Sequence, residues 1–83
     1  MSSFNYTDSE IKARQEVIGY AVEQLAVYNE SRIDIGEKPF TNLSQVVNDL
    51  RQGGSDSDTV NYYRELNNQQ NQAKHDFTKN YKD

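Results

Sequence analysis

The stretch TNLSQVVNDLRQGGSDSDTV, residues 41–60, decides the fold. Its apolar residues Leu43, Val46, Val47 and Leu50 stand at i, i+3, i+4 and i+7, the period of one helical face and not the alternation of a strand. Thr41 or Asn42 can cap the start, and Arg51 in the last turn suits the helix dipole. Gly53 is the expected residue just past the end, and Gly53-Gly54-Ser55 makes the sharpest turn in the chain. The Asp56-Ser57-Asp58 cluster then caps another helix, opening near Ser57 or Asp58. The centre of the chain thus reads as helix, turn, helix, and the class as all-α.

Toward the N-terminus, Thr7 and Glu10 form a capping box, with Phe4 and Tyr6 upstream and Tyr6 placed to staple onto Ile11. Ile11, Ile18, Ala21, Val22, Leu25 and Tyr28 follow as one apolar stripe. They predict a helix from residue 8 to about residue 31, about 36 Å long. Gly19, in its middle, is either tolerated there or lets another backbone approach. Gly36 and Pro39 break the connector over residues 31–40, whose Ile33, Ile35 and Phe40 are expected to fold down over the helices.

Toward the C-terminus, Val60, Tyr62, Tyr63 and Leu66 predict a firmly packed helix start. Residues 67–72 are all Asn or Gln before Ala73, Phe77 and Tyr81 restore apolar content. A long polar helix over about 58–80 results, with residues 67–83 a protruding or frayed end. The whole is a small three-helix domain, residues 1–83. Its first helix lies antiparallel or oblique to the third, and its second, over about 42–52, is wedged across one end.

Composition sets what this domain can do. The 83 residues are 34% hydrophobic, the mean hydropathy is −1.03, and so small a chain buries only about 60–65% of its unfolded surface. Disulfides and thiolate metal sites are excluded because there is no cysteine, and a multi-histidine site because His75 stands alone. Self-association or a partner is the expected remedy for a thin core. The net charge of −4, concentrated in residues 1–40, argues against general nucleic-acid or membrane binding. No apolar run reaches the length of a membrane span, and the start lacks a secretory pattern. The cytoplasm is the expected location, the host cytoplasm if the chain is phage-encoded.

Catalytic patterns fail one by one. His75 and Asp76 are adjacent, so on a helix they point about 100° apart. Glu16, Glu23 and Glu30 stand two turns apart and cannot share a proton. Asp56-Ser57-Asp58 opens like a calcium loop, but Val60, Asn61 and Asn67 occupy positions that need a ligand, a glycine and a glutamate. Gly53-Gly54 lacks the Lys-Ser/Thr of a phosphate loop. No catalytic residue, metal or cofactor is expected.

Binding remains. The leading expectation is a protein-binding adaptor or inhibitor, of the kind phages and mobile elements carry, docking through Tyr62, Phe77 and Tyr81. The Glu16, Glu23 and Glu30 stripe would meet a basic partner, unless it is simply a solvated face. A helix-turn-helix over residues 41–66 is the alternative, with Thr59, Asn61, Arg64 and then Asn68 or Gln69 facing bases. A turn longer than the usual three or four residues and scarce Lys and Arg count against it. Self-assembly through helical faces stays open, although Arg14 interrupts the Ile11, Ile18 and Leu25 seam.

Overall fold

The computed structural model describes the backbone of residues 7–81 and the side chains of residues 7–76. Three helices follow in order, α1 (Asp8–Asp34), α2 (Leu43–Gln52) and α3 (Ser57–Tyr81), and no strand occurs among the described residues. The chain is an all-α, three-helix domain.

Local chemistry sets each helix start. At α1 the Glu10 N–H donates to Thr7 Oγ1 at 3.2 Å and the Thr7 N–H donates to Glu10 Oε1 at 3.0 Å, the reciprocal capping box. That bond also holds the Glu10 carboxyl below its ordinary pKa, the Thr7 backbone N–H being the main cause. At α2 the cap is Asn42, whose Oδ1 accepts from the Gln45 N–H at 3.1 Å. Gln45 Oε1 in turn accepts from the Asn42 N–H at 3.4 Å, closing a second capping box, and from the Thr41 N–H at 2.6 Å. At α3, which opens at Ser57 as expected, the cap is Asp56, accepting from the Thr59 N–H at 2.9 Å and from the Thr59 hydroxyl at 2.8 Å.

The helix ends correct two expectations. α1 runs to Asp34, not residue 31, because Gly36 at φ +84° lets the chain turn back only there. The Glu37 N–H reaches the Arg32 carbonyl at 2.9 Å and the Gly36 N–H reaches Ile33 at 3.0 Å, a Schellman motif. The same motif ends α2, with Ser55 N–H on the Leu50 carbonyl at 2.9 Å. It places Gly54, at φ +77°, in the left-handed position, while Gly53 keeps right-handed geometry.

Packing follows from these lengths. Arg14 pairs with Asp76 and Tyr28 touches Tyr63, so α1 and α3 run antiparallel. α2 lies across both at the end where α1 finishes and α3 begins, and Leu43, Val46 and Val47 are buried there. Ala21, Leu43, Val46 and Leu66 form the core, ringed by Leu25, Tyr28, Phe40, Leu50 and Tyr63. Beyond the reach of α2 the fold is a helix pair, and the molecule extends 48 × 24 × 19 Å. There Gln70 and Ala73, at i+4 and i+7 from the core residue Leu66, are buried, so the amide-rich segment continues α3 without a break.

Several apolar expectations fail. Val22 is 53% exposed and does not belong to the buried stripe, because α1 turns its Ala21, Leu25 and Tyr28 line inward and Val22 lies one residue off it. Ile33 and Ile35 are 57% and 75% exposed, since the three extra residues of α1 carry both away from the core. Only Phe40 folds down, stacked on Tyr28 at 6.1 Å between ring centroids. Arg14 lies in the α1–α3 interface, with Nη2 3.1 Å from Asp76 Oδ2. The Tyr6 staple lies outside the described residues. No helix among the described residues is long and apolar enough to cross a membrane.

Candidate functional site

Tyr62 and Tyr63 are adjacent, so α3 must point them apart by about 100°. Tyr63 turns inward, edge-on to Tyr28 at 6.2 Å, with its hydroxyl donating to Gln24 Oε1 at 3.4 Å. Tyr62 therefore stays 45% exposed. Its hydroxyl meets that of Tyr20, itself 46% exposed on α1, at 2.6 Å. That bond, and then the modest desolvation around it, pushes the Tyr62 phenol up to about 12. Two exposed tyrosines from different helices thus form one aromatic patch.

Carboxylates frame it. Glu16 and Glu23 stand at i−4 and i+3 from Tyr20, which makes them its neighbours on the helix surface. Val27, one heptad beyond Tyr20 and 58% exposed, extends the apolar row, and Glu30 stands at i+3 from it. On α3, Asp58 and Glu65 stand at i−4 and i+3 from Tyr62. All five acids are exposed, and the Gln69 amide donates to Glu65 Oε1 at 3.3 Å. Lys12, at i−4 from Glu16, is the cation at the far edge. Successive glutamates along α1 rise about 10.5 Å.

Of the residues singled out in the sequence, Tyr62, Glu16, Glu23 and Glu30 therefore share one side of the molecule. The side chains of Phe77 and Tyr81 lie outside the described residues. Tyr20 was missed. Ala13, Tyr20 and Val27 keep a seven-residue spacing beside the buried stripe and all three are exposed, but that spacing does not say which residue of α3 stands opposite Tyr20.

The residues of the helix-turn-helix alternative divide. Asn61, Arg64 and Asn68 fall on one exposed face, with Arg64 Nη1 donating to Asn61 Oδ1 at 3.3 Å. Thr59 is half-buried and its hydroxyl is spent on the Asp56 cap, while Gln69 is turned to Glu65. The turn between α2 and α3 spans only Gly53 to Asp56, four residues, and so is not longer than the usual helix-turn-helix connection.

A concavity of about 780 Å³ opens between the end of α1, the connector and α2. Arg32 braces it, with Nε donating to the Lys38 carbonyl at 2.8 Å and its guanidinium 3.7 Å from the Phe40 ring centroid. Arg32 also pairs with Asp49 at 3.7 Å and Glu37 at 3.8 Å. The Tyr28 hydroxyl donates to Asp49 Oδ2 at 2.5 Å, and burial, then that bond, pushes the phenol up to about 12. These polar groups serve one another and hold the connector in place. Asp76, beside His75 in sequence, is engaged by Arg14 at 3.1 Å and by the Gln72 amide at 3.0 Å. Among the described residues no three His, Asp or Glu side chains converge as a metal site requires. No protein-family model matches this chain, and no curated protein sequence or solved structure is significantly similar to it.

Proposed function

We propose that this chain is a non-enzymatic protein-binding module, an adaptor or inhibitor that works by occupying a basic partner surface. The Tyr20–Tyr62 pair, exposed and framed by Glu16, Glu23, Glu30, Asp58 and Glu65, carries the reading. Tyrosine anchors an interface through a large rigid ring with a polar tip, and its face also attracts a Lys or Arg side chain. Spaced carboxylates steer a cationic surface toward it and raise the rate of encounter. A small acidic protein of this design suits the accessory role that phage and mobile-element genes fill. The expected location is the cytoplasm, where basic nucleic-acid-binding proteins offer such surfaces.

The test is capture on the immobilised chain, followed by mass spectrometry and a binding titration with the protein captured. Tyr62→Ala and the double change Glu16→Lys with Glu23→Lys should each abolish capture while the far-ultraviolet dichroism stays helical, and wild-type affinity should fall as salt rises. Capture that survives both variants defeats the proposal. Sedimentation of the chain alone separates it from a self-assembling structural subunit, which would be multimeric at micromolar concentration without any partner.

The four-residue turn and the shared face of Asn61, Arg64 and Asn68 favour a second reading, a helix-turn-helix with α3 entering a DNA groove. It requires duplex binding that weakens steeply with salt and is lost in Arg64→Glu.

A further inference from the structure

The chain has four arginines. Arg14 is paired with Asp76 and Arg32 with Asp49 and Glu37. The other two, Arg51 in the last turn of α2 and Arg64 in α3, have no carboxylate within ion-pair reach among the described residues. Instead both line one concavity of about 330 Å³ in the elbow between the two helices, together with Ser55, Ser57, Val60 and Asn61. No acidic side chain lines it. The nearest acid in sequence, Asp56, has both carboxylate oxygens turned to Thr59, at 2.9 and 2.8 Å. Asn61 Oδ1 accepts from Arg64 Nη1 at 3.3 Å and so orients the guanidinium.

Two like charges facing one hollow on an otherwise acidic protein repel each other unless an anion lies between them. Guanidinium forks match the oxygens of a tetrahedral oxyanion, and the Ser55 and Ser57 hydroxyls supply neutral donors beside them. The first amides of α3 add their positive end to the same corner. We propose that the α2–α3 elbow binds a phosphate-ester oxyanion, gripped by Arg51 and Arg64 and lined by Ser55, Ser57 and Asn61. This site is separate from the tyrosine patch, because Tyr62 and Arg64, two residues apart, face about 200° away from each other around α3. It does not depend on the docking proposal.

The test uses the full isotope-labelled chain at low ionic strength, titrated with inorganic phosphate and then pyrophosphate, following the arginine Nε–H and backbone amide resonances. Saturable shifts are expected at Arg51, Arg64, Ser57 and Asn61, with Arg14 and Arg32 still. Arg51→Gln and Arg64→Gln, both exposed positions, should each weaken binding about tenfold or more, the loss expected for removing a charge-assisted contact, and leave the helical dichroism unchanged. A non-saturating titration, equal shifts at all four arginines, or shifts indifferent to both variants overturns the proposal. A mixed-sequence duplex added as competitor identifies the source. Displacement of pyrophosphate that fades with salt names a nucleic-acid backbone phosphate, and no displacement names a small phosphate ester.

Discussion

Replacing Tyr62 by alanine separates a docking residue from a core residue. Tyr62 is about half exposed, and truncation removes its hydroxyl bond to Tyr20 at 2.6 Å and its edge contact with the Tyr63 ring at 5.1 Å. An exposed neutral hydrogen bond contributes at the low end of about 0.5–1.5 kcal/mol. An edge-to-face ring pair adds a similar amount, so the expected loss is about 1–2 kcal/mol. Leu43 is the contrast, since it has no exposed surface and its truncation to alanine should cost about 2–5 kcal/mol. An 83-residue domain holds about 4–12 kcal/mol in all, so the first variant stays folded and the second approaches unfolding. Urea titrations followed by far-ultraviolet dichroism measure both, with an unchanged slope required for the comparison. Tyr20→Phe, which deletes only the hydroxyl, should cost less than about 1 kcal/mol. If Tyr62→Ala loses as much as Leu43→Ala, the patch is core and the proposed docking face is wrong.

Asn42→Ala removes the second capping box and should lower stability by about 1 kcal/mol in the same titration. Gly19→Ala should do the opposite: the position is exposed and mid-helix, nothing lies within 4 Å of an added Cβ, and the gain is about 1 kcal/mol. In alkali, Tyr28 has a folded pKa near 12 against an ordinary 10.0, so its contribution is fully present below pH 10 and is lost as pH rises toward 12. Denaturation midpoints across that window should fall in the wild type and fall less in Tyr28→Phe; equal slopes would show that burial beside Asp49 does not govern the titration.

The fold was legible where one residue type has one job. Thr7 with Glu10, and the Leu43, Val46, Val47 and Leu50 period, admit a single local structure, and α1 and α2 begin where those signals stand. Ends were harder, because α1 carries helix-compatible residues through Arg32, Ile33 and Asp34 and only the left-handed Gly36 stops it. Exposure of Ile33, Ile35 and Val22 was not legible, since hydropathy says that a side chain favours burial but not whether a neighbour is present to bury it. Half of the tyrosine patch was legible as an adjacent pair that no helix can bury on one side. Its other half, Tyr20, depends on the antiparallel register of α1 and α3, which long-range contacts decide and local pattern does not.

That register rests on polar ties as much as on the core. Among the described residues the buried apolar side chains outside α2 are Ala21 on α1 and Val60, Leu66 and Ala73 on α3, and only Val60 and Leu66 are larger than alanine. Between α1 and α3 the ties are Arg14 with Asp76, Tyr20 with Tyr62 and Tyr63 with Gln24; Tyr28 with Asp49 fixes α2 on α1, and the Asn29 amide both donates to and accepts from the Phe40 backbone at 2.9 and 2.8 Å. A fold aligned in this way can leave large apolar side chains in solvent without losing its shape. Exposed apolar residues scattered singly carry no meaning, and grouping is what distinguishes a surface adapted for contact. Val22 stands apart, and Ile33 and Ile35 sit at the end of α1, but Tyr20, Val27 and Tyr62 lie together with carboxylates on both flanks. Burying those three rings and branches inside the monomer would have strengthened a thin core. Their placement together on one outward face is the observation on which the docking proposal rests.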